Sequence, residues 1–187
     1  YEETCQSGQQ VKDIVWTNDN CWDYFWCHTA QIPQSFWAET VPVLQASFLD
    51  GIPTSDKHAP PAGSGTHAVM HIRLEDSKES RNASGSWCTS ILQKMVAADG
   101  EIHMTVHSDG SEAEIVEFLA LPEGLKKHVS IYGRGNENTT LKRTLYDMVT
   151  ADVLVSASSS LSNSVALLRT DPTSVIHPDE DDRAHMV

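Results

Sequence analysis

From His67 onward, short apolar runs alternate with stretches of helical periodicity, and no other feature of the chain narrows its fold so far. The runs are His67–Leu74, Glu101–His107, Val129–Tyr132, Asp152–Ser156 and Thr173–Ile176. Between them, Trp87–Ala98 carries Ile91, Leu92 and Met95 on one face, and Glu112–Leu121, capped by Ser111, turns Ile115, Phe118 and Leu119 inward. A further helix runs from Thr139 or Thr140 to Thr150 and presents Leu141, Leu145 and Met148, and the last spans Leu161–Leu168. Asp99-Gly100, Ser108–Ser111, Pro122–Gly124 and Gly133–Asn138 punctuate the series as turns or loops. Strands separated by one helix each require crossover connections, which are right-handed and generate parallel pairing. The pattern therefore predicts an α/β, Rossmann-like parallel sheet of about five strands with helices on both faces.

The chain before His67 reads differently. Residues 1–35 hold Cys5, Cys21 and Cys27 together with Trp16, Trp22 and Trp26. The reading is a small cystine-braced lobe whose aromatics cover the main domain, with a sugar-stacking platform as the alternative. Ser35 is placed as the cap of a helix over 36–50, with Phe36, Val41, Leu44 and Phe48 near one face. Pro42 inside that pattern predicts a kink or a later start, and Gly51 ends it. Pro53, Pro60, Pro61 and Gly63-Ser64-Gly65 form a linker. Two regions follow: a Cys/Trp-rich N-terminal lobe over 1–66, and a Rossmann-like domain over 67–187 with a loose acidic tail at Asp179–Asp182.

Composition restricts the partners. The net charge of −13 excludes nucleic acid and anionic membrane as main partners, because both demand a basic face. A bound phosphate would need a locally positive pocket. No apolar run approaches the roughly 20 residues of a membrane helix. The four cysteines contain no CxxC pair, so two disulfides suit them better than a metal. Sequons at Asn82 and Asn138 join the cysteines in pointing to a secretory or extracellular protein, and the start at Tyr1 to a processed or trimmed product.

In an open parallel sheet, ligands bind beyond the carboxyl ends of the strands. The first run closes in His71, Arg73, Glu75 and Asp76 at that edge. An arginine there either meets an anion or forms an ion pair with Glu75 or Asp76. The same edge receives Ser108 and Asp109, Arg134, and Ser158-Ser159-Ser160 at the start of a helix, where backbone N–H groups and hydroxyls suit a phosphate oxygen. The carboxylates are placed to hold ribose or base donors. There is no GxxxxGK[ST], no GxGxxG after the first strand and no GxSxG. His67 and His71, like His103 and His107, sit four apart on one strand face. With no third ligand converging on them, no metal site is predicted.

His71-Ile72-Arg73-Leu74-Glu75-Asp76 resembles the HxRxxD motif of GT-B fold fucosyltransferases, the group of core α1,6-fucosyltransferases, nodulation fucosyltransferases and protein O-fucosyltransferases. Val106-His107-Ser108-Asp109 is similar to that family's intervening strand. Met148–Ser162 resembles its final motif, an apolar strand entered through Ala151-Asp152 and left through paired serines. The resemblance spans residues 67–177. Leu74 stands where the core enzymes have a second arginine, and Leu161 follows the serines where some members have glutamine.

The resemblance implies a C-terminal donor-binding domain that takes GDP-fucose or a similar nucleotide sugar without metal or other cofactor. Arg73 would hold the β-phosphate and stabilise the departing GDP. Ser159 and Ser160 would contact phosphate, His71 and Asp76 would shape the nucleotide pocket, and Asp109 joins them as substrate-binding. It also implies a glycan or protein acceptor and a lumenal, Golgi-like or extracellular setting. A GT-B enzyme needs two Rossmann-like domains, and residues 1–66 are too few for the first. Two functions follow: a metal-independent glycosyltransferase, present here as its C-terminal piece or a divergent form, or a non-catalytic binding or assembly subunit of the same ancestry.

Overall fold

The computed structural model describes residues 33–57, 65–74, 84–136, 139–156, 160–166, 168–169 and 174–176. The cysteines and tryptophans of the predicted lobe at Cys5–Cys27, the asparagines of both sequons and the acidic tail lie outside these residues. The chain divides into two compact units, Tyr1–Thr40 and Val41–Val187.

Helix α1 (Gln34–Gly51) runs through Pro42 without ending, and Ser35 lies within it rather than capping it. A turn of 3-10 helix follows at Thr54–Asp56. The alternation then unfolds as β1 (His67–Ile72), α2 (Gly85–Ala98), β2 (His103–Ser108), α3 (Glu112–Leu119), the short α4 (Glu123–Lys126) and β3 (Val129–Tyr132). It continues with α5 (Leu141–Thr150), β4 (Val153–Ser156), α6 (Ser160–Ala166) and β5 (Val175–Ile176). The five strands form one sheet in the order β3-β2-β1-β4-β5, parallel throughout. This is the predicted α/β, Rossmann-like class. The strand order reverses between β1 and β4, which places the topological switch point beside the end of β1.

Alternation along the strands divides the core in two. On the first face Ala68, Met70 and Ile72 of β1 and Met104 and Val106 of β2 pack against Cys88 and Leu92 of α2 and Ile115 and Leu119 of α3. On the second, Val69 and Leu154 meet Met148 and Val149 of α5, Val165 of α6, and Phe48 and Leu49 of α1. Helices thus cover both faces.

Local chemistry explains most boundaries. Ser84 caps α2 by accepting the Trp87 N–H, so the helix starts ahead of the predicted Trp87. Ser111 and Glu114 form a reciprocal capping box at the start of α3. That helix stops at Leu119 because Ala120 turns left-handed, at φ 44°. At Gly85 a Cβ would overlap the Phe118 carbonyl, so only glycine lets α2 approach α3 this closely.

On α5 the expected Leu145 and Met148 do pack into the second core, but the buried stripe extends to residues not expected there. Leu141 is exposed, whereas Arg143, Thr144 and Asp147 are buried alongside Met148 and Val149. The reason lies in the sheet, whose second face beneath α5 mixes polar side chains with the apolar Val69 and Leu154. It offers His107 and Tyr132 as partners that hydrocarbon would not satisfy.

Candidate anion site at the carboxyl edge

β1 ends at Ile72, two residues earlier than predicted, because Asp109 takes over the next backbone donor. The Leu74 N–H donates to Asp109 Oδ1 at 2.6 Å. The other oxygen, Oδ2, lies 3.8 Å from Nε of Arg73, a half-exposed ion pair. Asp109 therefore joins the exits of β1 and β2. Its own loop is braced by Gly110 N–H donating to Ser108 Oγ (3.1 Å) and Arg134 N–H donating to the Gly110 carbonyl (2.7 Å). Gly133 passes so close to Gly110 and Ser111 that a Cβ there would lie 2.7 Å from backbone atoms of both.

One step below, His71 is buried, with 8% of its surface exposed. Its Nδ1 shares a hydrogen bond of 2.9 Å with Ser162 Oγ in α6. Burial pushes its pKa down to about 4, with His107 and Arg73 acting in the same direction and Asp109 against them. His71 is thus a neutral imidazole at physiological pH, able to donate or accept but carrying no charge.

Of the residues singled out from the sequence, the structure brings His71, Arg73 and Asp109 together at the switch point. Ser160 opens α6 at the same edge. Asp76, Ser159 and the Ser160 side chain lie outside the described residues, as does Glu75. Among the described residues Arg73 meets Asp109, from the neighbouring strand. Chemically, the described part of the edge offers the Arg73 guanidinium, the neutral His71 imidazole, the Asp109 carboxylate and the start of α6, in a strongly acidic chain. Among the described residues no group of three or more His, Cys, Asp or Glu side chains is placed to hold a metal. No helix among them is long and apolar enough to cross a membrane.

The sequence marks His107 for its spacing from His103 but not the buried groups that surround it. His107, 1% exposed, donates from Nε2 to Asp147 Oδ2 at 2.9 Å. Its Nδ1 lies 3.3 Å from Thr144 Oγ1, and Tyr132 stacks on its ring at 5.4 Å. Arg143 sits 4.5 Å over the Tyr132 ring and 3.8 Å from Asp147. The available signal was the spacing of Arg143 and Asp147, four apart on a helix whose neighbouring stripe is apolar. Arg169, which lies at the opposite edge of the sheet, gave no local signal. It reaches the end of α5 and donates to the carbonyls of Met148 (2.8 Å), Ala151 (2.7 Å) and Asp152 (3.0 Å).

No family model and no curated protein matches the chain. Among solved structures it is similar to POFUT1 in complex with GDP, with a TM-score of 0.40 and 14% identity over 78% of this chain and 50% of that one. It is likewise similar to the apo form of POFUT1 (TM-score 0.39, 16% identity, 78% and 50%). The POFUT1 complex with GDP-fucose gives a TM-score of 0.38 at 14% identity, over 78% and 49%. The chain thus spans about half the length of these solved chains.

Proposed function

We propose that the carboxyl edge of this sheet is a nucleotide-diphosphate site of the GDP-sugar type, and that the protein is a fucosyltransferase-like glycosyltransferase acting without a metal. The observation that carries the reading is the position of Arg73, at the exit of the central strand and beside the point where strand order reverses. The order of the three motifs along the chain supports it. In such a reaction the bond from the sugar to the β-phosphate breaks and negative charge grows on the departing phosphate. A fixed guanidinium stabilises that charge more in the transition state than in the bound donor. Ser159 and Ser160 contribute the start of α6 as phosphate donors, while His71, Asp76 and Asp109 shape the pocket. The acceptor is a hydroxyl of a glycan or protein, met in the lumen of the secretory pathway.

The Arg73–Asp109 pair favours a second reading. A guanidinium already matched by a carboxylate also suits a non-catalytic binding or assembly module of the same ancestry. Calorimetric titration with GDP, with and without EDTA, separates the two. The transferase reading expects metal-independent binding that weakens by roughly 1.5–3 kcal/mol in Arg73→Ala, the worth of a charged hydrogen bond. Absence of GDP binding to the unmodified chain would leave the second reading.

A further inference from the structure

The histidine pairs have a use that a phosphate contact does not account for. On the second face, β1 and β2 present a ladder of rungs: His67 opposite His103, Val69 opposite Thr105, and His71 opposite His107. The Arg73–Asp109 ion pair forms the next rung above. The upper imidazole rung is buried, and so are Asp147 and Arg143 beside it. Apolar side chains would avoid the desolvation that these groups incur, so packing alone does not explain them.

Their partners share one pattern. His71 is tied to Ser162 of α6, and His107 to Asp147 and Thr144 of α5. Tyr132 stacks on His107, and Arg143 closes over the Tyr132 ring. The rung therefore grips both α5 and α6. Each of these helices follows a parallel strand, so each begins at the carboxyl edge where Arg73 and Asp109 sit. We propose that His107, together with Asp147, is a positioning residue for the Arg73–Asp109 rung. It sets the height of β2 against α5, and hence where Asp109 holds the Arg73 guanidinium. The functional consequence, though not the geometry, rests on reading Arg73 as the anion contact.

The test follows the Arg73 Nε–H resonance in a proton–nitrogen correlation spectrum, with the buried Arg169 signal as an internal control. In His107→Leu the Arg73 signal is expected to shift from its position in the unmodified protein while Arg169 stays unchanged. His107→Gln, whose amide restores a donor toward Asp147, is expected to return it. Loss of the Arg169 signal would mark a variant that fails to fold, and the near-isosteric Asp147→Asn then carries the comparison. An Arg73 signal unmoved in both variants, or one that moves only together with Arg169, overturns the proposal. GDP titrations on the same samples should show affinity about tenfold weaker in His107→Leu, and no further loss when Arg73→Ala is already present. Absence of GDP binding by the unmodified protein would refute the nucleotide reading, while the resonance comparison would still decide the positioning role.

Discussion

Acidification from about pH 7.5 to about pH 5 should destabilise this protein by about 2 kcal/mol through His71 alone. The folded imidazole has its pKa lowered from 6.5 to about 4, chiefly by burial between β1 and α6. In the unfolded chain the ring is solvated and titrates normally. Below pH 6.5 the unfolded state therefore binds a proton that the native state refuses. The stability tied to the neutral ring is complete above pH 6.5 and is lost as pH falls toward 4. The full difference corresponds to roughly 3 kcal/mol at about 1.4 kcal/mol per pH unit, and about two thirds of it is gone by pH 5. His67 and His103 are also lowered by burial and add in the same direction.

The assay is urea unfolding at both pH values for the native chain and for His71→Asn. The asparagine amide lies near the imidazole Nδ1, so the tie to Ser162 is retained while the titrating group is removed. The variant should lose about 2 kcal/mol less on acidification than the native chain. Equal losses in both proteins would refute the argument, since the proton uptake would then belong elsewhere.

Three further outcomes are expected. Arg169→Leu removes donors from three carbonyls at the end of α5 and from Ser174, and should cost about 3–5 kcal/mol in denaturant unfolding, because each buried carbonyl left without a donor costs about 1–3 kcal/mol. Ala120→Gly relieves a left-handed alanine at the end of α3 and should raise stability by about 1 kcal/mol, read as a higher urea midpoint with an unchanged slope. Cys88 is a free, fully buried thiol in α2, not a disulfide partner as pairing all four cysteines expects, and burial pushes it up to about 12. Peptide mapping after alkylation should find it unmodified in the native protein and labelled only once urea unfolds the chain.

The sequence by itself determined the class of fold and the order of its strands and main helices, with their ends within about two residues, while the short helix α4 fell where the sequence shows only a break. Those properties come from interactions within a few residues: the alternation of apolar runs, the Ser111 cap with Glu114, and the Asp99-Gly100 stop. It also brought His71 and Arg73 to the right edge, because parallel strands linked by single helices must all end on the same side. Only the tertiary structure decided which groups meet there. The charges visible beside Arg73 in sequence were Glu75 and Asp76, yet Asp109 reaches it from the adjacent strand across a register that core packing sets. The same register turned two isolated histidine spacings into paired rungs. It also brought Arg143 and Asp147 into the buried stripe of α5 and left Leu141 outside it. A helix's periodicity shows that it has a buried stripe. Which residues fill that stripe depends on the surface beneath it, and here that surface is a partly polar sheet face assembled from strands distant in the chain.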